Sequence, residues 1–445
     1  MEMNRRMFLG TLAAGCAVAA QAKPNIVLII ADDLGYGGIS VQGEREFSTP
    51  HIDSLARDGV RFTNGYVSCP VCSPTRAGLM TGRYQQRFGH ELNPGPAGEA
   101  DPNFGLPLTE TTIADGLRAA GYATGMVGKW HLGYRPEFHP LKRGFDFFYG
   151  FLGGAHSYLE PDRGDGNPLL RGTEKAPKEE YLTEALGREA CAFIEQKAGS
   201  PFFLYLPFNA VHAPMEATEK YKDRVATIVD PLRRTHAAMA IAMDDAVGRV
   251  LETLRRKKLD KDTLVIFHSD NGGPTAQTTS KNTPLRGFKG QVYEGGIRVP
   301  FLLRWPGKVK AGQVYAKPVI ALDVHPTALA AAGAPVSGLD GVNLLPFLAA
   351  GNKGTPHDAL YWRFGASRAI RQGDWKLLWP NGGSSELYNL ATDISESKDL
   401  ATAEPDRVRD LTMAFDAWNR QMVPPKWQTL RQGAAEKTQG RKKAK

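Results

Sequence analysis

The chain has 445 residues, 42% of them hydrophobic and 23% charged, which is enough to bury a large core and excludes a disulfide-stapled mini-protein. Its formal net charge of +8 lies mostly at the ends, since residues 431–445 carry +5 and residues 1–22 carry +1. A basic tail of this composition is typical of a solvated, disordered end, and we expect no nucleic-acid partner.

The first 22 residues predict an export signal. Arg5-Arg6 precedes an apolar run of small residues at 10–20, and Ala20-Gln21-Ala22 fits a small-x-small cleavage site. The segment resembles a twin-arginine signal, so we expect an exported protein, periplasmic or extracellular. The run is shorter than the roughly 20 residues that span a bilayer, so we expect no transmembrane span. Ala13-Ala14-Gly15-Cys16 also resembles a lipoprotein box, and processing there would leave a lipid anchor on Cys16.

A buried strand that ends in two carboxylates follows the signal. Residues 25–30 form a continuous apolar run without alternation, which is typical of a strand covered on both faces. The run leads into Asp32 and Asp33, at the kind of strand end where α/β proteins gather ligands. Adjacent carboxylates repel each other, and a hard cation would offset that repulsion. We therefore predict a metal site here, with a pair that only caps a loop as the alternative.

After a strand near residues 60–67, a thiol stands where the chain turns into a helix. We predict Ser73 as the N-cap and Pro74 as the first helical residue, which puts Cys72 at a helix N-terminus. The unpaired amides, the helix dipole and Arg76, one turn further on, favour an anion there. On this segment alone, a structural cysteine is an equally good interpretation.

The four cysteines do not predict a disulfide framework. Cys16 falls in the signal, and Cys191 lies in a helical pattern that predicts a buried free thiol. Cys69-Pro70-Val71-Cys72 is formally a CxxC motif, but it lacks the thioredoxin-like βαβ setting that a redox role needs.

The run Cys72-Ser73-Pro74-Thr75-Arg76, continued by Ala77-Gly78-Leu79-Met80-Thr81-Gly82-Arg83, resembles the signature of the type I sulfatases. These are formylglycine-dependent, arylsulfatase-like enzymes of the alkaline phosphatase superfamily. In that family the cysteine is oxidised after translation to formylglycine, whose hydrated aldehyde is the nucleophile. The resemblance implies the same fate for Cys72, with a formylglycine-generating enzyme as partner during maturation and Arg76 holding the modified side chain.

A predicted helix at 111–120 and strand at 122–126 lead to Gly128-Lys129-Trp130-His131-Leu132-Gly133. If this segment is extended, Lys129 and His131 share a face, and together they can bind an oxyanion and move a proton. The string resembles the second sulfatase signature. That resemblance implies that Lys129 contacts the sulfate and the formylglycine, and that His131 is the base that later collapses the intermediate.

Two further histidines are candidates for contact with substrate. Residues 153–178 are rich in Gly, Pro and charge, and we interpret them as a loop lining the substrate approach. His156 in this loop is a candidate substrate contact, with a surface histidine as the alternative. His212 stands just past an apolar strand at 202–208, and His212-Ala213-Pro214 matches the family's His-x-Pro motif. The match implies that His212 touches the sulfate and protonates the leaving group.

A second acidic strand end follows the longest predicted helix, residues 232–258, and a buried strand at 263–267. It consists of Asp270 and Asn271. With Asp32 and Asp33 they make an all-oxygen set suited to calcium, or less well magnesium, and poor for zinc. The resemblance adds position 72 to these metal ligands.

Residues 285–300 resemble the family's Lys-Gly…Glu-Gly-Gly-x-Arg-x-Pro block, which marks Lys289 for sulfate binding. Phe288 replaces the glycine that is more usual there, and His268 stands where most sulfatases have a small residue. We interpret Glu294 and Arg298 as a structural ion pair.

Beyond residue 345, short predicted strands and a closing helix at 406–422 replace the α/β alternation, and they resemble the small C-terminal subdomain of sulfatases. The predicted fold is α/β, an alkaline-phosphatase-like mixed central sheet flanked by helices, with a small C-terminal antiparallel sheet plus helix. The predicted segments are a signal at 1–22, a catalytic domain at 23–350, a C-terminal subdomain at 351–430 and a basic disordered tail at 431–445.

The expected function is hydrolysis of a sulfate ester, on a sulfated polysaccharide or its oligosaccharides, through formylglycine at position 72 and a divalent cation. A phosphonate or phosphate ester hydrolase of the same superfamily would share nearly every residue named. A catalytically silent glycan-binding relative would be expected to lose a metal ligand or Cys72, and this sequence retains them all.

Overall fold

A computed structural model describes residues 23–427 except 97–99, 102, 161, 163, 165, 178–179 and 350–353. The predicted export signal, Cys16 and the basic tail at 431–445 lie outside the described residues. Of the helices in the described part, none is long and apolar enough to cross a membrane.

The strands of the described residues are β1 (Asn25–Ala31), β2 (Val60–Phe62), β3 (Gly65–Tyr66), β4 (Ala123–Lys129), β5 (Phe147–Phe151), β6 (Leu170–Arg171), β7 (Glu174–Lys175), β8 (Phe202–Pro207), β9 (Thr263–Ser269), β10 (Phe301–Arg304), β11 (Gln313–Tyr315), β12 (Val319–Ile320), β13 (Ala359–Phe364), β14 (Ser367–Gln372), β15 (Trp375–Trp379) and β16 (Glu386–Asn389). The α-helices are α1 (Pro50–Arg57), α2 (Cys72–Thr81), α3 (Ile113–Ala119), α4 (Leu182–Lys197), α5 (Glu219–Lys222), α6 (Pro231–Arg256), α7 (Thr275–Thr278), α8 (Glu294–Ile297), α9 (Val324–Ala331), α10 (Leu345–Leu348) and α11 (Pro405–Asn419).

The large sheet is mixed, as predicted, with the strand order β11-β2-β10-β9-β1-β8-β4-β5-β6-β7. Its centre is parallel: β1 pairs with β8 and β9, and β8 pairs in turn with β4. β10 runs antiparallel to β9, and the β5-β6-β7 edge is antiparallel too. All seven residues of β1 are buried, because helices cover both faces of the sheet.

The helix boundaries follow from their capping residues. At the start of α6, Asp230 accepts a hydrogen bond from the Arg233 N–H at 2.7 Å, and Pro231 takes the first helical position. α2 ends at Gly82, which adopts φ 64°, and its N–H donates to the Gly78 carbonyl.

The small sheet is antiparallel, in the order β13-β14-β15-β16, and α11 packs on it through Phe415 and Trp379, with ring centroids 5.4 Å apart. It shares an apolar core with one face of the large sheet. At this junction the Trp362 indole N–H donates to the Val67 carbonyl at 2.7 Å. In this part of the chain the sequence predicts strands at 369–378 and 386–390 but not β13, and the predicted strand at 60–67 is interrupted between β2 and β3.

Candidate active site

The strand ends of the parallel centre bring the predicted site residues to one edge of the sheet. β1, β4, β8 and β9 point the same way, so the segments that follow them meet there. Main-chain hydrogen bonds hold these segments together: Asp32 N donates to Ala210 O at 2.9 Å, and Asp270 N donates to Ala31 O at 3.0 Å. The side chains that follow the four strands therefore form one buried cluster.

Three carboxylates and an amide form the acidic half of this cluster. Asp33 accepts from Asn271 Nδ2 at 2.6 Å, and its own N–H donates to Asp270 Oδ1 at 3.2 Å. Burial and the nearby Asp270 charge raise the pKa of Asp32. Burial alone would also raise the pKa of Asp270, but Arg76, Lys129 and Lys289 together outweigh it and bring that pKa to about 2.

Three cationic side chains face these carboxylates. Lys129 Nζ donates to Asp32 at 2.6 Å, Lys289 Nζ donates to Asp33 at 2.9 Å, and Arg76 donates twice to Asp270 at 3.0 and 2.8 Å. With three carboxylates against three cations, the cluster is close to neutral. Arg76, which the sequence predicts to hold the modified side chain at position 72, makes hydrogen bonds to Asp270 and to the Lys129 carbonyl.

The oxygen donors fit a hard divalent cation. The Asn271 Oδ1 atom is buried and has no hydrogen-bond partner. Ligand atoms of Asp32, Asp33, Cys72 and His212 all lie within 4.8 Å of one another. Carboxylate oxygens together with a buried amide oxygen that has no other partner are typical ligands of calcium and magnesium.

A second group, His51, Asp244 and Asp245, also brings its ligand atoms within 4.8 Å of one another. Unlike the first group, it has no buried oxygen without a hydrogen-bond partner among the described residues. Arg224 pairs with Asp245, and Asp244 accepts the N–H of Ile52 at 2.7 Å. We therefore assign no metal to it.

Cys72 is the first residue of α2, and its Sγ lies 3.6 Å from Asp32 Oδ1. The prediction that Ser73 is the N-cap is wrong: Val71 takes that position, because the Ser73 hydroxyl donates to the His131 carbonyl instead. Burial raises the pKa of the Cys72 thiol to about 12 and outweighs the lowering effect of Lys129 and Lys289. The unmodified thiol is therefore protonated at neutral pH and is a poor nucleophile.

The two predicted proton-transfer histidines both lie at the cluster. β4 ends at Lys129, and His131 adopts φ 61°, so the extended, shared-face arrangement of Lys129 and His131 is wrong. Burial lowers the pKa of His131 well below its ordinary value, and the nearby charge of Lys129 lowers it further. His212 Nε2 lies 3.6 Å from Asp33 Oδ2, and burial lowers its pKa too.

A cavity of about 330 Å³ opens over the cluster. Cys72, His131 and His212 line it, together with the loop residues 93–96 and 153–155, Tyr134 and Asn167. His156 does not line this cavity. It faces a second one of about 180 Å³, where its Nδ1 lies 2.7 Å from the Ser157 carbonyl oxygen.

The sequence predicts that the loop at 153–178 lines the substrate approach, and residues 153–155 and Asn167 of this loop line the cavity. Asn93 and Tyr134 were not predicted as cavity residues, because single polar residues in irregular loops carry no pattern. Phe288 is 47% exposed beside Lys289, whereas His268 is buried and stacks on Phe301 at 5.0 Å. The ion pair of Glu294 and Arg298 is present, with N and O 3.2 Å apart.

Comparison with known proteins gives a consistent result. Residues 24–334 match the family model described as Sulfatase, and residues 288–414 match N-sulphoglucosamine sulphohydrolase, C-terminal. N-acetylgalactosamine-6-sulfatase of Mus musculus is 34% identical over 88% of this chain and 78% of its own length. Human arylsulfatase A is 35% identical over 92% of this chain and 84% of its own length.

Solved structures similar to this chain include Ps i-CgsB, which is 37% identical and aligns with a TM-score of 0.88 over 93% of this chain and 96% of the Ps i-CgsB chain. The same protein in complex with k-i-k-neocarrahexaose aligns with a TM-score of 0.87, at 36% identity over the same shares of the two chains.

Proposed function

We propose a nucleophile and a substrate for this chain, which belongs to the sulfatase family and hydrolyses sulfate esters. The nucleophile is formed from Cys72, and the substrate is a sulfated carbohydrate. The observation that carries the first part is the placement of Cys72. Its Sγ lies 3.6 Å from Asp32, beside cations and against the cavity, yet the thiol itself is held protonated. Oxidation to formylglycine by a formylglycine-generating enzyme would supply the nucleophilic hydroxyl that the thiol does not.

Asp32, Asp33, Asp270 and Asn271, with the side chain at position 72, would hold the divalent cation, and the all-oxygen donors favour calcium over softer metals. When bound, calcium would lower the pKa of a hydroxyl and neutralise negative charge on the ester. The charge balance supports this assignment. A dication added to a near-neutral cluster leaves a net positive site for an anionic sulfate ester.

Lys129, Lys289 and Arg76 form the cationic side of the site. All three are held in place by carboxylates before substrate arrives, so their charges need little reorganisation during the reaction. We assign Lys129 and Lys289 to the sulfate oxygens. We assign Arg76 to fixing Asp270 and to holding the modified side chain at position 72.

His131 and His212 line the cavity and serve as the proton-transfer groups. Burial keeps His131 neutral, which suits a base that accepts a proton from the modified residue. His212 lies against Asp33 and also lines the cavity, and we assign it to protonation of the leaving oxygen. His156 faces the second cavity. We propose that it contacts only those parts of the substrate that extend beyond the cavity over the cluster.

The substrate class rests on relatives and on the cavity. Proteins similar to this chain carry names such as N-acetylgalactosamine-6-sulfatase, and one was solved with a neocarrahexaose. Tyr134, Asn93 and Asn167 also line the cavity, so its wall combines an aromatic ring with polar side chains. We further propose that the protein acts after export, as a periplasmic or extracellular enzyme, and that residues 23–350 and 351–430 are its catalytic and C-terminal parts.

The test is sulfate release from a panel of defined sulfated sugars and a matched pair of aryl sulfate and aryl phosphate, with Cys72→Ala as control. We expect sulfate release from at least one sugar, faster turnover of the aryl sulfate than of the phosphate, and no turnover by the control. Preference for the phosphate, or full activity without Cys72, would overturn the proposal.

A further inference from the structure

The Ser73 side chain joins the helix that carries Cys72 to the loop that carries His131. Its hydroxyl Oγ lies 2.7 Å from the His131 carbonyl oxygen and 2.7 Å from His90 Nε2. Its main-chain N–H donates to Asn93 Oδ1 at 2.9 Å, on the cavity wall. One buried residue of α2 thus contacts two other segments that surround the site, the loop of His90 and Asn93 and the loop of His131.

The direction of these hydrogen bonds follows from the number of hydrogens. A serine hydroxyl has one proton, and the His131 carbonyl can only accept, so Ser73 donates to it. His90 must then donate from Nε2 to Ser73. Burial lowers the pKa of His90 to about 3, so the ring is neutral at neutral pH.

His90 is itself fixed by aromatic packing. Its ring lies 4.8 Å from Phe104 and 5.4 Å from Trp427, centroid to centroid. Trp427 belongs to the segment after α11, which returns to this loop because the Lys426 N–H donates to the Gly89 carbonyl at 2.9 Å. A chain of contacts therefore runs from the C-terminal segment through His90 and Ser73 to His131.

The His131 imidazole depends on this main-chain support. His131 adopts the left-handed φ of 61°. This conformation costs a non-glycine residue free energy, so it persists only where the surrounding contacts hold it. Its N–H donates to Leu152 O at 3.0 Å, its carbonyl accepts from Ser73, and its ring packs so closely on Gly154 that a Cβ there would lie 2.5 Å from Nε2. A change in the main chain at residue 131 would therefore move the ring relative to position 72.

We propose that Ser73 and His90 are positioning residues for His131, which they hold in the geometry for proton transfer without touching substrate. The inference rests on the proposed function insofar as His131 is the base. Loss of positioning should lower kcat and leave substrate binding almost unchanged, since the sulfate contacts belong to other side chains.

The test compares Ser73→Ala with Ser73→Thr, which keeps the hydroxyl, and with Thr124→Ala. Thr124 is a matched control because it is equally buried and its hydroxyl donates to the Gly144 carbonyl at 2.7 Å, at the far end of β4 from Lys129. We expect Ser73→Ala to lower kcat at least about tenfold with kcat/KM within about twofold, because His131 acts on the intermediate that forms after sulfuryl transfer, and Ser73→Thr and Thr124→Ala to stay near wild type. Equal kcat for Ser73→Ala and Thr124→Ala would overturn the proposal.

A second readout does not depend on turnover. Long-range ¹⁵N–¹H spectra of the histidine-labelled protein should show His90 as the neutral Nε2–H form, and Ser73→Ala should shift the ring signals of His131 although it removes no atom that touches them. Substituting His90→Gln, which keeps a donor, should shift His131 less than His90→Phe. Unchanged His131 signals in Ser73→Ala would refute the positioning role. Failure of the wild-type protein to release sulfate would instead refute the proposed function and leave this spectroscopic result intact.

Discussion

Replacing Asp270 by alanine should destabilise the metal-free protein by about 3–5 kcal/mol, because it leaves a fully buried guanidinium without its main partner. Arg76 donates to Asp270 Oδ2 from two nitrogens, at 3.0 and 2.8 Å, and both side chains are shielded from solvent. Asp32, 3.7 Å from the guanidinium, offers partial compensation, so we place the loss near the lower end of that range. Against a typical total stability of about 5–15 kcal/mol, the variant should fold but be clearly weakened, and it should lose turnover.

The assay is urea unfolding with chelator present, for Asp270→Ala, Arg76→Met and the double variant. The double variant should be less destabilised than the sum of the two single variants, because the second change removes the charge that the first left unpaired. Calcium should then raise the unfolding midpoint of the wild type and not that of Asp270→Ala. A single-variant loss below about 1 kcal/mol, or additive losses, would refute the idea that this pair is a tightly coupled buried ion pair.

Three further predictions test other parts of the structure. Lys376→Met should lower the free energy of unfolding by about 3–5 kcal/mol in urea titration, because buried Lys376 joins Glu294 and Glu396 at 2.9 and 2.8 Å; a near-neutral effect would contradict this. Burial raises the pKa of Asp244 from 3.8 to about 7, so the folded state holds this proton more tightly than the unfolded state does. Stability should therefore fall as pH rises from about 4 to about 7, and Asp244→Asn should flatten that part of the profile measured by urea unfolding; an unchanged slope would count against it. His212→Ala should slow sugar sulfates more than activated aryl sulfates, since only the former need a proton at departure, and equal slowing in steady-state kinetics would make His212 a positioning residue only.

The strand ends of the central sheet are the part of the molecule that the sequence predicts best. A continuous apolar run such as residues 25–30 indicates a doubly covered strand, and parallel strands leave their carboxyl ends at one edge. That reasoning brings Asp32, Asp33, Asp270 and Asn271 together, and the structure places them in one cluster.

The partners within the cluster could not be predicted from patterns. Arg76 and Asp270 are 194 residues apart, and no spacing rule indicates that they pair. The left-handed conformation of His131 could not be predicted from the sequence either. An extended segment is the usual expectation after a strand, and only the contacts with Leu152, Ser73 and Gly154 favour the left-handed conformation. For Cys72, the helix N-terminus suggested an anionic site, but the extent of burial, a tertiary property, sets the thiol pKa.

Intact-mass measurement of Cys72→Ser after incubation with an aryl sulfate tests the central claim most directly. A hydrated aldehyde has two hydroxyls: one attacks sulfur, and the second, once deprotonated, re-forms the carbonyl and expels sulfate. Serine offers only the first. We predict that the wild type turns over many times, whereas the serine variant performs at most about one turnover and becomes heavier by one sulfuryl group. Sustained turnover by Cys72→Ser would contradict the aldehyde mechanism for this protein.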